Sequence, residues 1–273
     1  MKISFYRSLD LSASYTEDPI PCPEHFTMHA HFQAELFYFI SGDAVYHVEG
    51  SEYNLQPGDI LLMRPAEAHY IELRSKEPYK RIVVSFDPEL YRGIDPEGHL
   101  MRPYYNRETG QFNLYRKSDF PDCDIGSFFR MLYEHRNSRH GSIATLMLLL
   151  NAIGQVFDTT PPAYARHNTL EFRMLRYINA YLGENISLEQ MAEHFFISRA
   201  QLCRRFKRAT GTSIGSYVNA KRMLTAKAML SEGKKPTEVY SACGYTDYST
   251  FYRAYCRYFG YSPKAEEKSA VHK

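Results

Sequence analysis

Two stretches decide the fold: Ser198-Arg-Ala-Gln-Leu-Cys-Arg-Arg-Phe-Lys-Arg-Ala-Thr-Gly211 and, 49 positions on, Asp247-Tyr-Ser-Thr-Phe-Tyr-Arg-Ala-Tyr-Cys-Arg-Tyr-Phe-Gly260. Leu202 aligns with Phe251, Arg204 with Arg253, Phe206 with Tyr255, Gly211 with Gly260, and Ser213 with Ser262. Each stretch opens on a residue whose side-chain oxygen can cap orphan helical amides. Each ends at a glycine, which adopts the left-handed conformation that closes a helix. Ser198 and Gln201 have the spacing of a capping box, as do Ser187 and Gln190. The Ser187 box opens a short helix with Leu188, Met191 and Ala192 inward, and Phe195-Phe196-Ile197 makes a tight turn into the next. Ahead of the second stretch, Pro236-Thr-Glu238 opens a short helix and Gly244-Tyr245 makes the turn. Short helix, tight turn and second helix form the helix-turn-helix unit, and here it occurs twice. A long helix, about Ser216 to Leu230 with Tyr217, Leu224 and Leu230 as core, joins the two. A further helix from about Thr169 to Leu182 precedes them and stops at Gly183.

In such a unit the second helix enters the major groove with its N-terminal half near base edges. With Leu202 and Phe206 inward, Arg199, Ala200, Gln201, Cys203 and Arg204 are left for the groove, and Lys207 and Arg208 suit phosphates. In the second unit Tyr248, Ser249, Tyr252 and Arg253 take the groove positions and Arg257 the phosphate. The arginine fork matches guanine O6 and N7, which makes Arg204 and Arg253 the leading base readers. A stiff linking helix would set the two recognition helices about 34 Å apart, one turn of duplex.

Charge supports a polyanionic partner. Residues 166–273 carry 18 Lys and Arg against 9 Asp and Glu, a net +9, and residues 1–165 carry −7. The basic part suits double-stranded DNA and the acidic part stays off it.

Residues 170–264 resemble the DNA-binding domain of AraC-family bacterial transcription regulators. The resemblance lies in Ala242-Cys-Gly-Tyr-Thr-Asp-Tyr-Ser-Thr-Phe-Tyr-Arg-Ala-Tyr-Cys-Arg-Tyr-Phe-Gly-Tyr-Ser-Pro263 and in Lys221-Arg-Met-Leu-Thr-Ala-Lys-Ala-Met-Leu230. Cys256 stands where that family often has a basic residue. Ala200 and Cys203 are small, so base reading by the first unit falls mainly to Arg204 and Gln201.

The N-terminal part reads differently. Leu36–Ile40, Ala44–Val48, Ile60–Met63 and Arg81–Phe86 are short strand-like runs, separated by turn signals such as Ser41-Gly42-Asp43 and Gln56-Pro57-Gly58-Asp59. Strands at this spacing indicate a barrel or sandwich. His29-Ala-His31-Phe-Gln-Ala-Glu35, then Gly42, Gly58 and His69, resembles the two cupin motifs, in which two His, a Glu and a third His converge inside a small barrel. Leu73 and Glu67 depart from the residues usual in the second motif, Asn and Gly. Alternation places His29, His31, Gln33, Glu35, Phe37 and Phe39 on one strand face. Three imidazoles and a carboxylate suit Zn, Ni, Mn or Fe.

Three readings stand at this point: a metal-dependent cupin enzyme (isomerase or dioxygenase), an effector pocket, and a structural barrel. Fusion to the helical part favours the pocket, since AraC-family sensor domains are cupin-like and commonly bind sugars or other small metabolites. His29, His31, Glu35, Phe37, Phe39, His47 and His69 are its expected lining. Tyr46 is a further stacking wall. No cofactor is required; a divalent metal at His29, His31, Glu35 and His69 is the variant of this reading.

The expected organisation is α+β. A cupin-like barrel occupies 1–121, a helical packing or dimerisation segment 122–157, a Pro-containing linker 158–168, the double helix-turn-helix domain 169–266, and a tail 267–273. Residues 96–121 read as a loop. Phe128, Phe129 and Leu132, then Leu146, Leu149, Leu150, Ile153 and Phe157, mark apolar helix faces.

Composition is that of a globular protein, with 44% apolar and 23% charged residues, which excludes disordered and collagen-like chains. The longest apolar run, near Leu146–Leu150, is far short of the ~18–20 residues of a membrane span. Met1–Arg7 lacks the apolar core of a signal peptide. Cys22, Cys123, Cys203, Cys243 and Cys256 are scattered without a CxxC pair and read as reduced thiols. The expectation is a cytoplasmic, homodimeric, ligand-responsive regulator and not an enzyme. The family resemblance adds activation and contact with RNA polymerase.

Overall fold

A computed structural model describes residues 11–21, 28–159 and 169–266, in two compact units lying within 2–167 and 168–273. The linker expected at 158–168 lies outside the described residues from 160 on, as do Met1–Arg7, Cys22 and the tail at 267–273.

Among the described residues, the first unit is built on eight antiparallel strands: β1 (Leu11–Asp18), β2 (Ala34–Ser41), β3 (Ala44–Val48), β4 (Ser51–Asn54), β5 (Ile60–Met63), β6 (His69–Leu73), β7 (Tyr79–Phe86) and β8 (Leu114–Tyr115). One sheet runs β1-β7-β2-β5-β8 and the other β4-β3-β6. The four strand-like runs read from the sequence all lie in strands. Gly42 turns β2 into β3 at φ 127°, with Tyr79 packed where a side chain would stand.

Strand β2 shows why no polar–apolar alternation marks this sheet: both of its faces are buried. Ala34 and Leu36 join Ile60, Leu62, Val84 and Phe86 in a core closed by α2 (Ile125–Glu134) and α3 (Arg139–Thr159). Phe37 and Phe39 point the other way, into the space between the sheets with Tyr46, Met63, Ile71 and Tyr79. The helical segment is therefore part of the same unit as the barrel. Helix α3 has the length and apolarity of a membrane-crossing helix. One face of it, Leu146, Leu149, Leu150 and Ile153, is buried in the first of these cores.

Residues 96–121, expected as a loop, hold a short helix α1 (Arg102–Tyr105), strand β8 and 3-10 turns. No periodicity announces them because an ion pair sets their place. Both Arg107 terminal nitrogens donate to the Glu67 carboxylate at 2.7 Å, and Arg107 also donates to the carbonyls of Leu62 and Pro103 at 3.1 Å. The same carboxylate accepts from the Gly110 amide at 2.9 Å and the Arg64 amide at 3.0 Å. Burial raises the Glu67 pKa, but the Arg107 charge and these hydrogen bonds outweigh it and hold the group at about 2.

The second unit is helical: α4 (Leu170–Ala180), α5 (Leu188–His194), α6 (Arg199–Thr210), α7 (Ile214–Ser231), α8 (Pro236–Ala242) and α9 (Tyr248–Phe259). The two recognition helices are capped at matching positions. Ser198 accepts from the Gln201 amide, Gln201 returns the bond, and Asp247 accepts from the Thr250 amide. Gly211 and Gly260 close the two helices at φ 70° and 79°. Ser187 caps α5 through the Gln190 amide, but its hydroxyl donates to Glu189, and no reciprocal Gln190 bond accompanies the cap.

Arg222 on α7 ties the unit together. Its Nε donates to the Leu182 carbonyl at 3.0 Å, a terminal nitrogen donates to the Glu184 carbonyl, and the guanidinium lies 5.6 Å over the Tyr245 ring. Gly244, at φ 74°, leaves the room: a Cβ there would stand 2.6 Å from Arg222.

Two stability outcomes follow from these ion and hydrogen-bond sites. Arg107→Met strands a buried carboxylate and destabilises the first unit by about 3–5 kcal/mol in urea denaturation at neutral pH. The Glu67 pKa is lowered on folding, so its stabilisation is full above 4.5 and is lost as pH falls towards about 2. The deficit of the variant therefore narrows below pH 4.5; a deficit independent of pH contradicts the assignment. Arg222→Lys keeps the charge but not the planar fork, and lowers the stability of the helical unit by roughly 1–3 kcal/mol.

Candidate functional site

The first site lies at one end of the space between the two sheets. His29 precedes β2 and forms a reciprocal backbone pair with His69 on β6, at 3.0 and 2.9 Å. His31 follows, and Glu35 is the second residue of β2. Only Glu35, Phe37 and Phe39 thus share a strand face; His29, His31 and Gln33 come from the segment before the strand, not from the strand itself. The ligand atoms of His29, His31 and His69 all lie within 4.8 Å of one another. Glu35 completes the group, 2.9 Å from His31 Nε2 and 3.8 Å from His69 Nε2.

Backbone carbonyls orient two of these rings. His31 Nδ1 donates to the Gln33 carbonyl at 2.9 Å, and His69 Nδ1 to the Glu67 carbonyl at 2.8 Å. Each ring therefore aims Nε2 inward. Burial works against charge on His31, but the hydrogen bond and charge of Glu35 outweigh it and raise its pKa. Burial also opposes charge on Glu35, yet the His31 bond and the three nearby imidazoles hold the carboxyl well below its usual range. Burial and the neighbouring His29 push His69 down to about 3, so it is neutral.

The remaining expected pocket residues divide. Phe37 and Phe39 lie on the Glu35 face but are fully buried in the packed interior, and Tyr46 donates to Glu35 at 3.4 Å. His47 is not brought to the cluster. It lies on the opposite face of β3, stacked on Tyr70 at 4.3 Å and 3.0 Å from Glu72. Sequence reading missed Arg81, which sits 5.8 Å over Phe37 and 5.7 Å over Tyr79. An arginine amid strand-like residues carries no signal of which face it takes.

The second site is the outer face of the helical unit. Leu202 and Phe206 on α6, and Phe251 and Tyr255 on α9, are buried. Arg199, Ala200, Gln201, Arg204, Lys207 and Arg208 are exposed, as are Ser249, Tyr252, Arg253 and Arg257; Cys203 and Tyr248 are half-buried. The Gln201 amide oxygen is engaged in the Ser198 cap, and Arg199 pairs with Glu189 at 2.6 Å. Arg205, not singled out beforehand, is also exposed and lies 3.4 Å from Glu171. Phe196, in the turn before α6, is 95% exposed with φ 55°. It holds the left-handed position of that turn, as Gly244 does in the second unit.

Comparison with known proteins identifies the two domains. A model of the AraC-like ligand binding domain matches residues 23–149 and one of a helix-turn-helix domain matches 191–269, together about three quarters of the chain. The uncharacterized HTH-type transcriptional regulator YbfI of Bacillus subtilis is 23% identical over 83% of this chain and 81% of its own. The HTH-type transcriptional activator RhaR of Escherichia coli is 23% identical over 96% of this chain and 94% of its own. Among solved structures, the DNA-binding domain of AdpA in complex with a target DNA is 23% identical, covers 37% of this chain and 93% of that chain, and has a TM-score of 0.36. The domains and relatives are those of a transcriptional regulator rather than of an enzyme. With a ligand-binding domain followed by a helix-turn-helix DNA-binding domain, the chain belongs to the AraC family of transcription regulators.

Proposed function

We propose that this chain is a cytoplasmic, homodimeric activator of transcription whose DNA binding or contact with RNA polymerase is set by a small metabolite, a sugar, held at the histidine end of the barrel. One observation carries the reading: two recognition helices with equivalent exposed arginines, Arg204 and Arg253, share a chain with a partly buried cluster of hydrogen-bonding groups. A helix that only packed would not present Arg204, Arg205, Lys207 and Arg208 along one outer face. Imidazoles, Glu35 and the Tyr46 ring supply the polar rim and apolar face that a sugar needs. RhaR is named an activator, which supports that direction of control here. Met131 on α2 and Leu148 on α3 are exposed apolar side chains, and they support a seam between two copies through these helices.

DNA binding by the purified chain, read by fluorescence anisotropy on genomic fragments at low ionic strength, tests the first half. Arg204→Ala and Arg253→Ala each cost roughly 1–3 kcal/mol and relax preference at one base position. Lys207→Ala weakens all sequences alike and lowers the salt slope by about 1. Equal losses on specific and random duplex for the arginine variants defeat the base-reading roles. Thermal denaturation against a sugar panel tests the second half, because a ligand that binds only the folded chain raises its midpoint. A panel without any stabilising sugar removes the effector assignment.

A further inference from the structure

The two helix-turn-helix units make the same turn with different residues. After α5 the Phe196 amide donates to the Glu193 carbonyl and the Ile197 amide to the Ala192 carbonyl, both at 3.1 Å. After α8 the Gly244 amide donates to the Ser241 carbonyl at 3.0 Å and the Tyr245 amide to the Tyr240 carbonyl at 3.1 Å. The backbone is left-handed at the matching residue of each, with φ 55° at Phe196 and 74° at Gly244. Glycine is the usual occupant of such a position, because a side chain there is strained. At 244 packing demands it as well, since Arg222 fills the space a Cβ would take. At 196 the chain carries a large aromatic ring and leaves it 95% exposed. Neither the backbone nor the packing of the unit calls for that ring.

Its place in the unit indicates what covers it. Phe196 lies two residues before Ser198, the cap of α6, at the end of that helix which a recognition helix turns towards base edges. Two polar groups at this end are already committed: Arg199 pairs with Glu189 at 2.6 Å, and the Gln201 amide oxygen accepts from the Ser198 amide and hydroxyl. Beside them stand two exposed apolar side chains, Phe196 and Ala200. Further along, α6 exposes Arg204, Lys207 and Arg208, so the ring borders a surface that suits a polyanion, whereas the centre of a protein–protein contact is poor in charge. The apolar group that a base edge shows in the major groove is the thymine C5 methyl, and Ala and Phe are among the side chains that meet it. We propose that Phe196 is a specificity-determining residue that packs, with Ala200 beside it, against a thymine methyl in the site read by α6.

The proposal rests on the reading of α6 as a recognition helix and adds to it a contact that no arginine supplies. Duplexes are selected from a random pool by the full chain. An enriched duplex is then measured by fluorescence anisotropy with uracil, which lacks the methyl, replacing each thymine in turn. One such replacement weakens binding about fourfold, the worth of one buried methyl group. Phe196→Gly weakens binding to the thymine duplex about tenfold or more and no longer distinguishes thymine from uracil. Phe196→Leu, which keeps an apolar side chain, retains the preference for the methyl. Glycine relieves the left-handed strain, so the thermal midpoint of Phe196→Gly equals or exceeds that of the unchanged chain.

Equal binding of the thymine duplex by the unchanged chain and by Phe196→Gly overturns the contact and leaves the ring to a protein partner. A loss in Phe196→Gly that is the same on thymine and uracil duplexes also overturns it, and places the ring on the sugar-phosphate backbone. So does a lowered thermal midpoint, which would make the ring a packing element. If no duplex is enriched, the recognition-helix reading fails and the contact with it. If an enriched duplex is lost by Arg204→Ala and kept by Phe196→Gly, that reading stands and the contact alone falls.

Discussion

One helix and one guanidinium hold the two DNA-reading helices in a single frame. Helix α7 packs against α6, α8 and α9, so both recognition helices meet the same rod. Its 18 residues span roughly 27 Å at 1.5 Å per residue. Arg222 pins that rod to the carbonyls of Leu182 and Glu184 on one side and to the Tyr245 ring on the other. A freely hinged pair of reading heads would lose conformational freedom on meeting DNA. A pinned pair has already lost it, and its binding free energy is correspondingly less opposed.

The helical half was legible because its signals are local. Caps, terminal glycines and one buried face each occupy a few consecutive residues, and the repeat states them twice. The caps at Ser198 and Asp247 and the closures at Gly211 and Gly260 are as read. What escaped depends on distant partners. Nothing near Arg222 indicates that it reaches carbonyls 38 and 40 positions earlier. The loop reading of 96–121 failed for the same reason, since Glu67, 40 positions before Arg107, organises it. In the barrel, the His and Glu residues were found from their spacing, but strand alternation was extended too far: β2 begins at Ala34, after the histidines. His47 was misplaced because every residue of β3 is buried and burial alone names no face.

The two recognition helices are unequal in their chemistry. Helix α6 exposes four cations between Arg204 and Arg208, while the outer face of α9 mixes Arg253 and Arg257 with Tyr252, Ser249 and Thr250. Phosphate contacts by cations set affinity and its salt dependence, and groove contacts set sequence preference. The first helix is therefore the stronger source of electrostatic attraction. The second contributes proportionally more hydroxyl and aromatic surface, with Tyr248 wedged between Tyr240 and Phe251 to fix its edge.

Strand β2 joins the polar cluster to the helices around the barrel. Its odd-numbered residues, Glu35, Phe37 and Phe39, face the polar cluster and the inner core. Its even-numbered residues face α2 and α3, and Tyr38 stacks on Phe129 of α2 at 4.6 Å and 13°. Successive side chains on a strand share one backbone, and the pleat fixes their opposed directions. Glu35 of the polar cluster and Tyr38 on the seat of α2 thus lie on opposite faces of one strand, three residues apart. A ligand shifts the balance of arrangements only by the difference in its affinity for them. A close-packed core that tolerates no gap settles into one seating or another instead of deforming by degrees.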